Sequence, residues 1–540
     1  MKKIIPFIFC FLFIQVAQAQ FTVQTVAEKS DYTSTSTYAD VIQFIQTLES
    51  SPLLRVDTFA VTTEGKKLPL LVVADPMPET AADLQDDDRI VVYIQANIHA
   101  GEVEGKAAVQ MLARDILNGK YPGLLDDVVV LLVPILNADG NDKIDVHNRT
   151  NQNGPLNGVG VRYNGQHRDL NRDALKLETP EIRGVVSQIL NVWDPAITVD
   201  CHTTNGSYHE EPVTFVWMMN PNGDRTLINY MRDEMMSAVS ETLLKKHHVE
   251  NIFYGEFIDR MNLEKGWISY ASEPRYLVNY VGVRNRLAIL NENYVYADFK
   301  TRVNGSYHLL VSILEYAAAH KKEIKKLLKE ADERTVNRGL DPAVSDSFAI
   351  EYKGVPTPKP ITIKAFEADT IPGANGYWRY KKSDRKRTVT VPYIADYYAT
   401  KSVRFPYAYI ITVPDEKVLD VLHTHGIKTE RLANDITLEV EGFCFDEIKP
   451  APRLFQGHYL NQIKGKAVAE TKEFKQGTIV IRTAQPLGNV IAYLLEPLSD
   501  DGLLKWNFFD RYLVPQWGRS YYPYPVYKVL NKYELPTTDE

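Results

Sequence analysis

The chain is 540 residues long, 44% of its residues are hydrophobic, and its formal net charge at pH 7 is −8. This length is ample for two domains that are stabilised by buried apolar surface. The 61 Lys and Arg residues are outnumbered by 69 Asp and Glu residues and form no basic stripe, which argues against nucleic acid as a partner.

The N-terminus has the composition of a secretory signal peptide. Lys2 and Lys3 give a charged start, residues 4–14 are apolar, and an Ala-x-Ala-like cleavage site follows at Ala17–Ala19. The apolar run is too short for a membrane anchor, and no other stretch is long and apolar enough to cross a bilayer. The sequence therefore predicts a secreted or periplasmic protein that starts at Gln20 and does not insert stably into a membrane.

Two cysteines remain once residues 1–19 are removed. Cys201 and Cys444 lie in different predicted domains, so we expect no disulfide between them. Cys201 precedes a candidate metal ligand, but alternation along its strand should point the thiol away from the metal.

Helices and buried strands alternate from residue 36 to about residue 320. Residues 36–48 form a capped amphipathic helix, and a hairpin follows with its turn at Glu64–Lys67. The later alternation predicts an α/β fold with a mostly parallel or mixed central sheet flanked by helices. Long loops are expected at residues 141–170 and 203–212, where long loops often carry function. We assign residues 20–340 to this domain.

The pattern changes beyond about residue 340. A long helix with a solvated charged face covers residues 311–329, and short alternating segments rich in Pro and Gly follow. We interpret four apolar segments as strands: residues 361–363, 408–413, 477–482 and 490–495. The sequence thus predicts a mainly β domain over residues 341–540.

Two buried strands of the first domain end in candidate metal ligands. The apolar strand 91–98 is followed by His99 and Glu102, and the apolar strand ending at residue 202 places His202 at its end. Imidazole and carboxylate groups are good zinc ligands, and ligands collect at the carboxyl ends of strands in open α/β sheets. Glu104 competes with Glu102, but its offset of five from His99 faces elsewhere on a helix.

Three further motifs lie between these ligands. They are Pro134–Gly140 (PILNADG), Asp169–Arg172 (DLNR) and Pro180-Glu181, which opens a helix. This order resembles the zinc metallocarboxypeptidases of the carboxypeptidase A-like superfamily over roughly residues 35–320. The DLNR block, with Arg162 nine residues before its Asn, looks closest to the cytosolic carboxypeptidase branch, here in a secreted form with a C-terminal β domain.

The resemblance implies a catalytic zinc site. His99, Glu102 and His202 would hold one zinc ion per chain, with water in the fourth position. Asp169 matches the family position that accepts a hydrogen bond from the first ligand His. Glu292, at the end of a third apolar strand, matches the family's general base.

The resemblance also implies residues that bind substrate. Asn171 and Arg172 match the pair that clamps the free C-terminal carboxylate of a peptide. Arg162 would polarise the scissile carbonyl and stabilise the oxyanion, with Arg149 as the alternative. The family often has a mobile Tyr that covers the substrate, and three candidates precede Glu292: Tyr270, Tyr276 and Tyr280.

These expectations define one main hypothesis about function and two alternatives. The main hypothesis is a zinc-dependent peptidase that removes C-terminal amino acids from peptides. The first alternative keeps the zinc and the fold but acts as an amide hydrolase, a deacylase or a murein peptidase. The second is a catalytically inactive protein that binds peptides or glycans.

Overall fold

The computed structural model describes residues 20–270, 272–373, 377–515 and 520–539. The predicted signal peptide, residues 1–19, lies outside the described residues. Among the helices of the described ranges, none combines the length and apolar character that crossing a membrane requires.

A mixed sheet of eight strands forms the centre of the N-terminal part. The strands of this part are β1 (Leu54–Val61), β2 (Lys67–Val73), β3 (Ile90–Ala96), β4 (Val128–Val133), β5 (Ile197–Thr203), β6 (Val213–Trp217), β7 (Asn251–Phe253), β8 (Glu256–Phe257), β9 (Trp267–Ile268) and β10 (Leu287–Asn293). The sheet has the order β1-β2-β4-β3-β5-β10-β6-β7. β4, β3, β5 and β10 are parallel neighbours, whereas β2 joins β4 and β6 joins β10 antiparallel.

Fourteen α-helical segments lie in the described ranges. They are α1 (Val26–Lys29), α2 (Tyr38–Leu48), α3 (Glu104–Leu117), α4 (Leu124–Asp127), α5 (Ala138–Asn141), α6 (Pro180–Gly184), α7 (Asn191–Trp193), α8 (Arg225–Tyr230), α9 (Met236–Lys245), α10 (Leu277–Val283), α11 (Phe299–Leu340), α12 (Glu416–Thr424), α13 (Gly488–Leu495) and α14 (Asp510–Leu513). The predicted α/β fold with a mixed sheet flanked by helices is confirmed.

The central strands have uninterrupted apolar sequences because they are buried on both faces. Every residue of β3, β4 and β5 is buried. Helix α3 packs closely on β5, where a Cβ on Gly105 would lie 2.5 Å from the Cβ of Cys201. The Cys201 thiol therefore faces α3, as strand alternation predicts. The hairpin between β1 and β2 also forms as predicted, with Gly65 in the left-handed region at φ 83°.

The C-terminal part is rich in strands. They are β11 (Ser347–Pro356), β12 (Ile361–Pro372), β13 (Trp378–Val391), β14 (Tyr393–Arg404), β15 (Ala408–Ile411), β16 (Glu430–Leu432), β17 (Ile436–Pro450), β18 (Asn461–Phe474), β19 (Ile479–Arg482), β20 (Val526–Val529) and β21 (Thr537–Asp539). Seven of them form a sheet in the order β18-β17-β20-β15-β19-β16-β21, and β12 pairs with β13.

One of the predicted C-terminal strands is wrong. Residues 490–495 belong to helix α13, and every residue from Val490 to Leu495 is fully buried. A short apolar run that is buried on all sides has no polar face, so its period cannot distinguish a helix from a strand.

The predicted domain boundary at residue 340 coincides with the end of α11, yet a sheet crosses it. β9 pairs with β14, so that the four-stranded sheet β11-β14-β9-β8 takes strands from both sides of the boundary. The ring of Trp267 in β9 is fully buried there. The division into residues 20–340 and 341–540 stays a prediction.

Candidate active site

The three predicted metal ligands meet at the carboxyl end of the central sheet. His99 follows β3, Glu102 lies in the turn before α3, and His202 lies near the end of β5. One ligand atom from each residue falls within 4.8 Å of the others, and all three side chains are buried. The Nδ1 atoms of the two histidines are 3.2 Å apart, and each lies within 3.1 Å of a Glu102 oxygen. Both histidines therefore turn Nδ1 toward the common centre.

The opposite nitrogen of each histidine contacts a carboxylate. His99 Nε2 lies 3.0 Å from Asp169 Oδ1, and His202 Nε2 lies 2.9 Å from Asp200 Oδ2. These contacts favour a proton on Nε2 and leave the Nδ1 lone pair available, which is the arrangement that metal-binding histidines commonly show.

Charged neighbours shift the pKa values of the groups in this cluster. Although burial opposes the shift, the Asp200 carboxylate raises the pKa of His202 well above its ordinary value. Burial alone would raise the pKa of Glu102. The charges of His99 and Arg149 outweigh this effect and hold that pKa well below its ordinary value. Three carboxylates thus contact the two imidazoles, and Arg149 and Arg162 lie against two of these carboxylates.

Local backbone structure explains how the turn brings His99 and Glu102 together. Asn97 adopts the left-handed conformation at φ 67°, and its side-chain amide donates hydrogen bonds to the carbonyls of Ala100 and Glu102. A Cβ on Gly101 would lie 2.5 Å from Cδ of Arg149, so only glycine admits that side chain so closely.

The PILNADG motif supports this turn from the next strand. The Asn137 amide donates to the carbonyls of Ile98, at 3.3 Å, and Arg162, at 3.1 Å. It therefore ties the segment before His99 to the loop that carries Arg162.

Glu104, the rival of Glu102, has structural partners instead. Its Oε1 accepts a hydrogen bond from the Thr203 hydroxyl and lies 3.4 Å from Nε of the fully buried Arg302. Glu102, in contrast, accepts a hydrogen bond from the Thr203 backbone amide and faces the two histidines. The geometry favours Glu102 as the ligand.

Glu292 lies beside the metal-ligand cluster. It is in register with His202 on the neighbouring parallel strand β10, and it lines the same cavity of about 160 Å³. Its Oε2 is buried and has no hydrogen-bond partner among the described residues. Burial raises the pKa of the Glu292 carboxyl to about 8. A bound divalent cation would oppose that shift, since it stabilises the charged carboxylate.

The two predicted carboxylate-binding residues line the same cavity. Asn171 Oδ1 accepts a hydrogen bond from the Leu277 amide, which turns the amide nitrogen toward His202 at 3.5 Å. The Arg172 guanidinium lies 4.3 Å from the ring centroid of Tyr276 and donates to the Asn171 carbonyl. Nearby acids have other partners: Asp173 pairs with Lys176, and Glu178 with Arg168. Arg172 is thus oriented by stacking on Tyr276, lies 3.8 Å from Asp169 Oδ2, and lines the cavity.

Both candidate oxyanion arginines contact acids of the cluster. Arg162 lines the cavity and donates to Asp169 Oδ2 at 2.8 Å. Arg149 approaches Glu102 Oε1 at 2.9 Å with its Nη1 atom. Of the two, Arg162 has the side chain that faces the cavity.

The structure separates the tyrosine candidates. Tyr270 and Tyr276 line the cavity, with rings 5.5 Å apart, whereas Tyr280 is fully buried and bonds His425 instead. Tyr254, which the sequence reasoning missed, also lines the cavity.

The donor set and spacing fit zinc. For tetrahedral zinc with bonds of about 2.0–2.2 Å, neighbouring ligand atoms lie about 3.3–3.6 Å apart. The two histidine Nδ1 atoms are 3.2 Å apart, close to that value, and each lies 2.9–3.1 Å from a different oxygen of Glu102. Two nitrogens and one carboxylate, with a cavity on the remaining side, are typical of a catalytic zinc site.

Three supporting residues were missed at the sequence level. Asp200 could have been found, because it precedes His202 by two positions and strand alternation puts both on one face. Asn97 was harder to find. Its only indication in the sequence is that asparagine tolerates a positive φ and that it stands between a predicted strand and a predicted helix. Gln456, whose Oε1 accepts a hydrogen bond from the Asp169 amide, is 287 positions away and gave no signal.

Comparisons with solved structures gave distant matches. A metallo-carboxypeptidase from Burkholderia cenocepacia is 17% identical, with a TM-score of 0.39, covering 53% of this chain and 70% of that one. A metallo-carboxypeptidase from Pseudomonas aeruginosa in complex with (2-guanidinoethylmercapto)succinic acid is 16% identical, with a TM-score of 0.39, covering 54% and 70%. Carboxypeptidase A from Helicoverpa armigera is 14% identical, with a TM-score of 0.36, covering 54% and 75%.

Sequence comparison gave a family match. No curated protein matches the chain. The family model described as zinc carboxypeptidase matches residues 41–202, which include His99, Glu102, the DLNR block and His202. The resemblance drawn from the motifs is confirmed at this level, while the branch within the family stays a prediction. The match covers 162 of the 540 residues (202 − 41 + 1), and it supports a zinc metallocarboxypeptidase hydrolase.

Proposed function

We propose that the protein is a peptidase that removes amino acids one at a time from the C-terminus of peptides. The observation that carries this proposal is the placement of Asn171 and Arg172 in the same small cavity as the metal-ligand cluster and Glu292. A free carboxylate bound by the Arg172 fork would leave the preceding peptide bond within the cavity, between the cluster and Glu292.

His99, Glu102 and His202 would hold the zinc. When bound, zinc would polarise the scissile carbonyl and lower the pKa of water. We infer one ion per chain, since the three ligands converge on one centre.

The protein's own groups perform the remaining steps. Glu292 accepts the proton of the attacking water and passes it to the nitrogen of the departing amino acid. Its buried Oε2, which has no partner among the described residues, is available for that proton. Arg162 places a positive charge where the oxyanion develops, and Asp169 holds that side chain in place. Tyr270 and Tyr276 narrow the cavity and exclude water from it.

The test uses the mature protein and a library of linear peptides, with and without a chelator, with products identified by mass spectrometry. We expect release of single C-terminal residues, abolished by the chelator and restored by zinc. Cleavage within peptides, or release only of acyl groups or murein fragments, would replace this proposal with the amide-hydrolase or murein-peptidase alternative. Zinc binding without any hydrolysis would favour the inactive binding protein.

We also propose that the protein acts outside the cytoplasm, on the basis of the signal-like composition of residues 1–19. N-terminal sequencing of the protein recovered from the periplasm or the medium should begin at Gln20. Recovery of the full-length chain from the cytoplasm would contradict the proposal.

A further inference from the structure

A tight turn of the C-terminal part reaches the active site. The turn consists of Phe455, Gln456, Gly457 and His458, and the backbones of Phe455 and His458 bond each other in both directions, at 2.8 and 2.9 Å. Gln456 has φ 52° and Gly457 has φ 84°. Two central residues with positive φ define a type I′ turn.

The residue at the first central position is unusual for this turn. Type I′ turns prefer Asn, Asp or Gly there, because these residues tolerate the left-handed conformation best. Glutamine has no such advantage, so its presence at φ 52° is a local strain. Strain of this kind persists where surrounding contacts hold the residue in place.

The glutamine side chain makes a contact that a shorter side chain would not. Gln456 Oε1 accepts a hydrogen bond of 2.8 Å from the backbone amide of Asp169. Asp169 in turn contacts His99 Nε2 at 3.0 Å and accepts from Arg162 at 2.8 Å. One residue of the C-terminal part therefore fixes the backbone from which the partner of a metal ligand projects.

Other contacts anchor the turn against the catalytic part. His458 Nε2 lies 2.9 Å from a Glu178 oxygen, and Glu178 also pairs with Arg168. The ring of Phe455 stacks on Trp506, and the Arg275 guanidinium lies 5.7 Å from the Phe455 ring centroid. These contacts restrict the turn, so that Gln456 meets Asp169 from a fixed position.

We propose that Gln456 is a positioning residue that orients Asp169, and through Asp169 the metal-ligand His99, from the C-terminal part of the chain. This inference rests on the proposed zinc site and extends it, because it gives the C-terminal part a role in metal binding. Replacing a direct partner of a metal ligand typically weakens metal affinity about 10- to 100-fold. For Gln456, one contact further away, we expect roughly a 3- to 10-fold effect.

Two substitutions separate positioning from turn formation. Gln456→Asn and Gln456→Gly both suit a type I′ turn, but neither reaches Asp169: asparagine is shorter by one methylene, about 1.5 Å. Thermal unfolding of both variants should occur at or above the wild-type temperature. Their zinc dissociation constants, from competition with a chromophoric chelator, should nevertheless rise by roughly 3- to 10-fold. The visible spectrum of the cobalt-substituted protein should change as well, since it reports ligand geometry directly.

The control is Gln462→Ala, which removes an exposed glutamine six residues away on β18. It should match wild type in zinc affinity and in cobalt spectrum. If both Gln456 variants also match wild type, Gln456 merely closes the turn and the inference is overturned. A wild-type protein that binds no zinc would instead refute the proposed function, which distinguishes the two failures.

Discussion

The central strands of the eight-stranded sheet and the edge strand β18 of the seven-stranded C-terminal sheet bury their residues in different ways. Every residue of β3, β4 and β5 is buried, whereas β18 alternates between exposed and partly buried positions along most of its length. A charged side chain in β18 therefore loses little hydration free energy on folding, and its presence does not indicate a functional site. A charged side chain at the ends of β3, β5 or β10 is removed from water on folding. Only a specific partner or ligand compensates the lost hydration free energy.

This contrast explains why buried polar residues of the catalytic part indicate a functional site. His99, Glu102, Asp200 and His202 are each no more than 4% exposed. They have one another as partners and share a centre that suits a cation. Lys475 of the C-terminal part pairs with Asp435 and Glu473, but these side chains are exposed to solvent, where ion pairs contribute little to stability.

The largest difference between the two parts is expected when a buried histidine is removed from each of them. His202→Ala should abolish stoichiometric zinc binding and hydrolysis while the fold largely survives, because most of the core is remote. His425→Ala removes a fully buried histidine that contacts Tyr280 and the Leu175 carbonyl, so it should lower the unfolding temperature but retain zinc. Metal analysis and thermal unfolding measure both effects. A His202→Ala protein that keeps one zinc would refute the ligand assignment.

A second substitution tests the acid at the end of β10. Glu292→Gln should keep the fold and the zinc but lower kcat by roughly 10²- to 10⁴-fold, since it preserves shape and removes the proton acceptor. Steady-state kinetics on a tripeptide give the value. Glu256→Gln, in an exposed position of β8, is the matched control and should stay within a few-fold of wild type. A kcat for Glu292→Gln near that of the control would assign the general base to another acid.

A third substitution, at Arg172, tests whether the enzyme prefers peptides with a free C-terminal carboxylate. Arg172→Ala should weaken cleavage of peptides with a free C-terminal carboxylate far more than cleavage of the same peptides amidated there. An unpaired carboxylate in a partly desolvated site costs roughly 3–5 kcal/mol, and the amide has no charge to strand. The measurement is kcat/KM for matched acid and amide substrates. Arg183→Ala, which breaks an ion pair with Asp420 of α12, should leave the preference intact. Equal cleavage of acid and amide by wild type would contradict the carboxypeptidase assignment.

The smallest effect on activity is expected from the C-terminal core. Ile410→Ala opens a cavity at a fully buried position of β15 and should lower the free energy of unfolding by about 2–5 kcal/mol. Denaturant unfolding measures this loss. Zinc content and kcat at a permissive temperature should stay unchanged, and a loss of zinc would show that the two cores are not energetically separable.

Much of the catalytic part could be predicted from the sequence, for physical reasons. Buried parallel strands are continuous apolar runs, so the polar residues that end them at His99, His202 and Glu292 are easily seen. The family motifs then supply roles for Asn171 and Arg172. Residues 490–495 were misjudged for the opposite reason: a helix buried on every side has an apolar run with no period.

The rest depends on contacts between segments that are distant in the chain. Nothing near Gln456 in the sequence indicates that it meets Asp169, 287 positions earlier. The pairing of Glu104 with Arg302, which gives the rival of Glu102 a structural partner, spans 198 positions (302 − 104). Local patterns identify candidate groups, and only the tertiary structure assigns their partners.

The sheet shared by β9 and β14 has a consequence for how this protein can be shortened or recombined. A chain cut after Leu340 would remove β14 from one edge of β9 and leave that edge with unpaired backbone groups, while β8 would still pair with the other edge. Open edges of that kind recruit strands from other molecules. We therefore expect the isolated segment 20–340 to aggregate rather than act as a minimal enzyme, so that an active protein requires both parts in one chain.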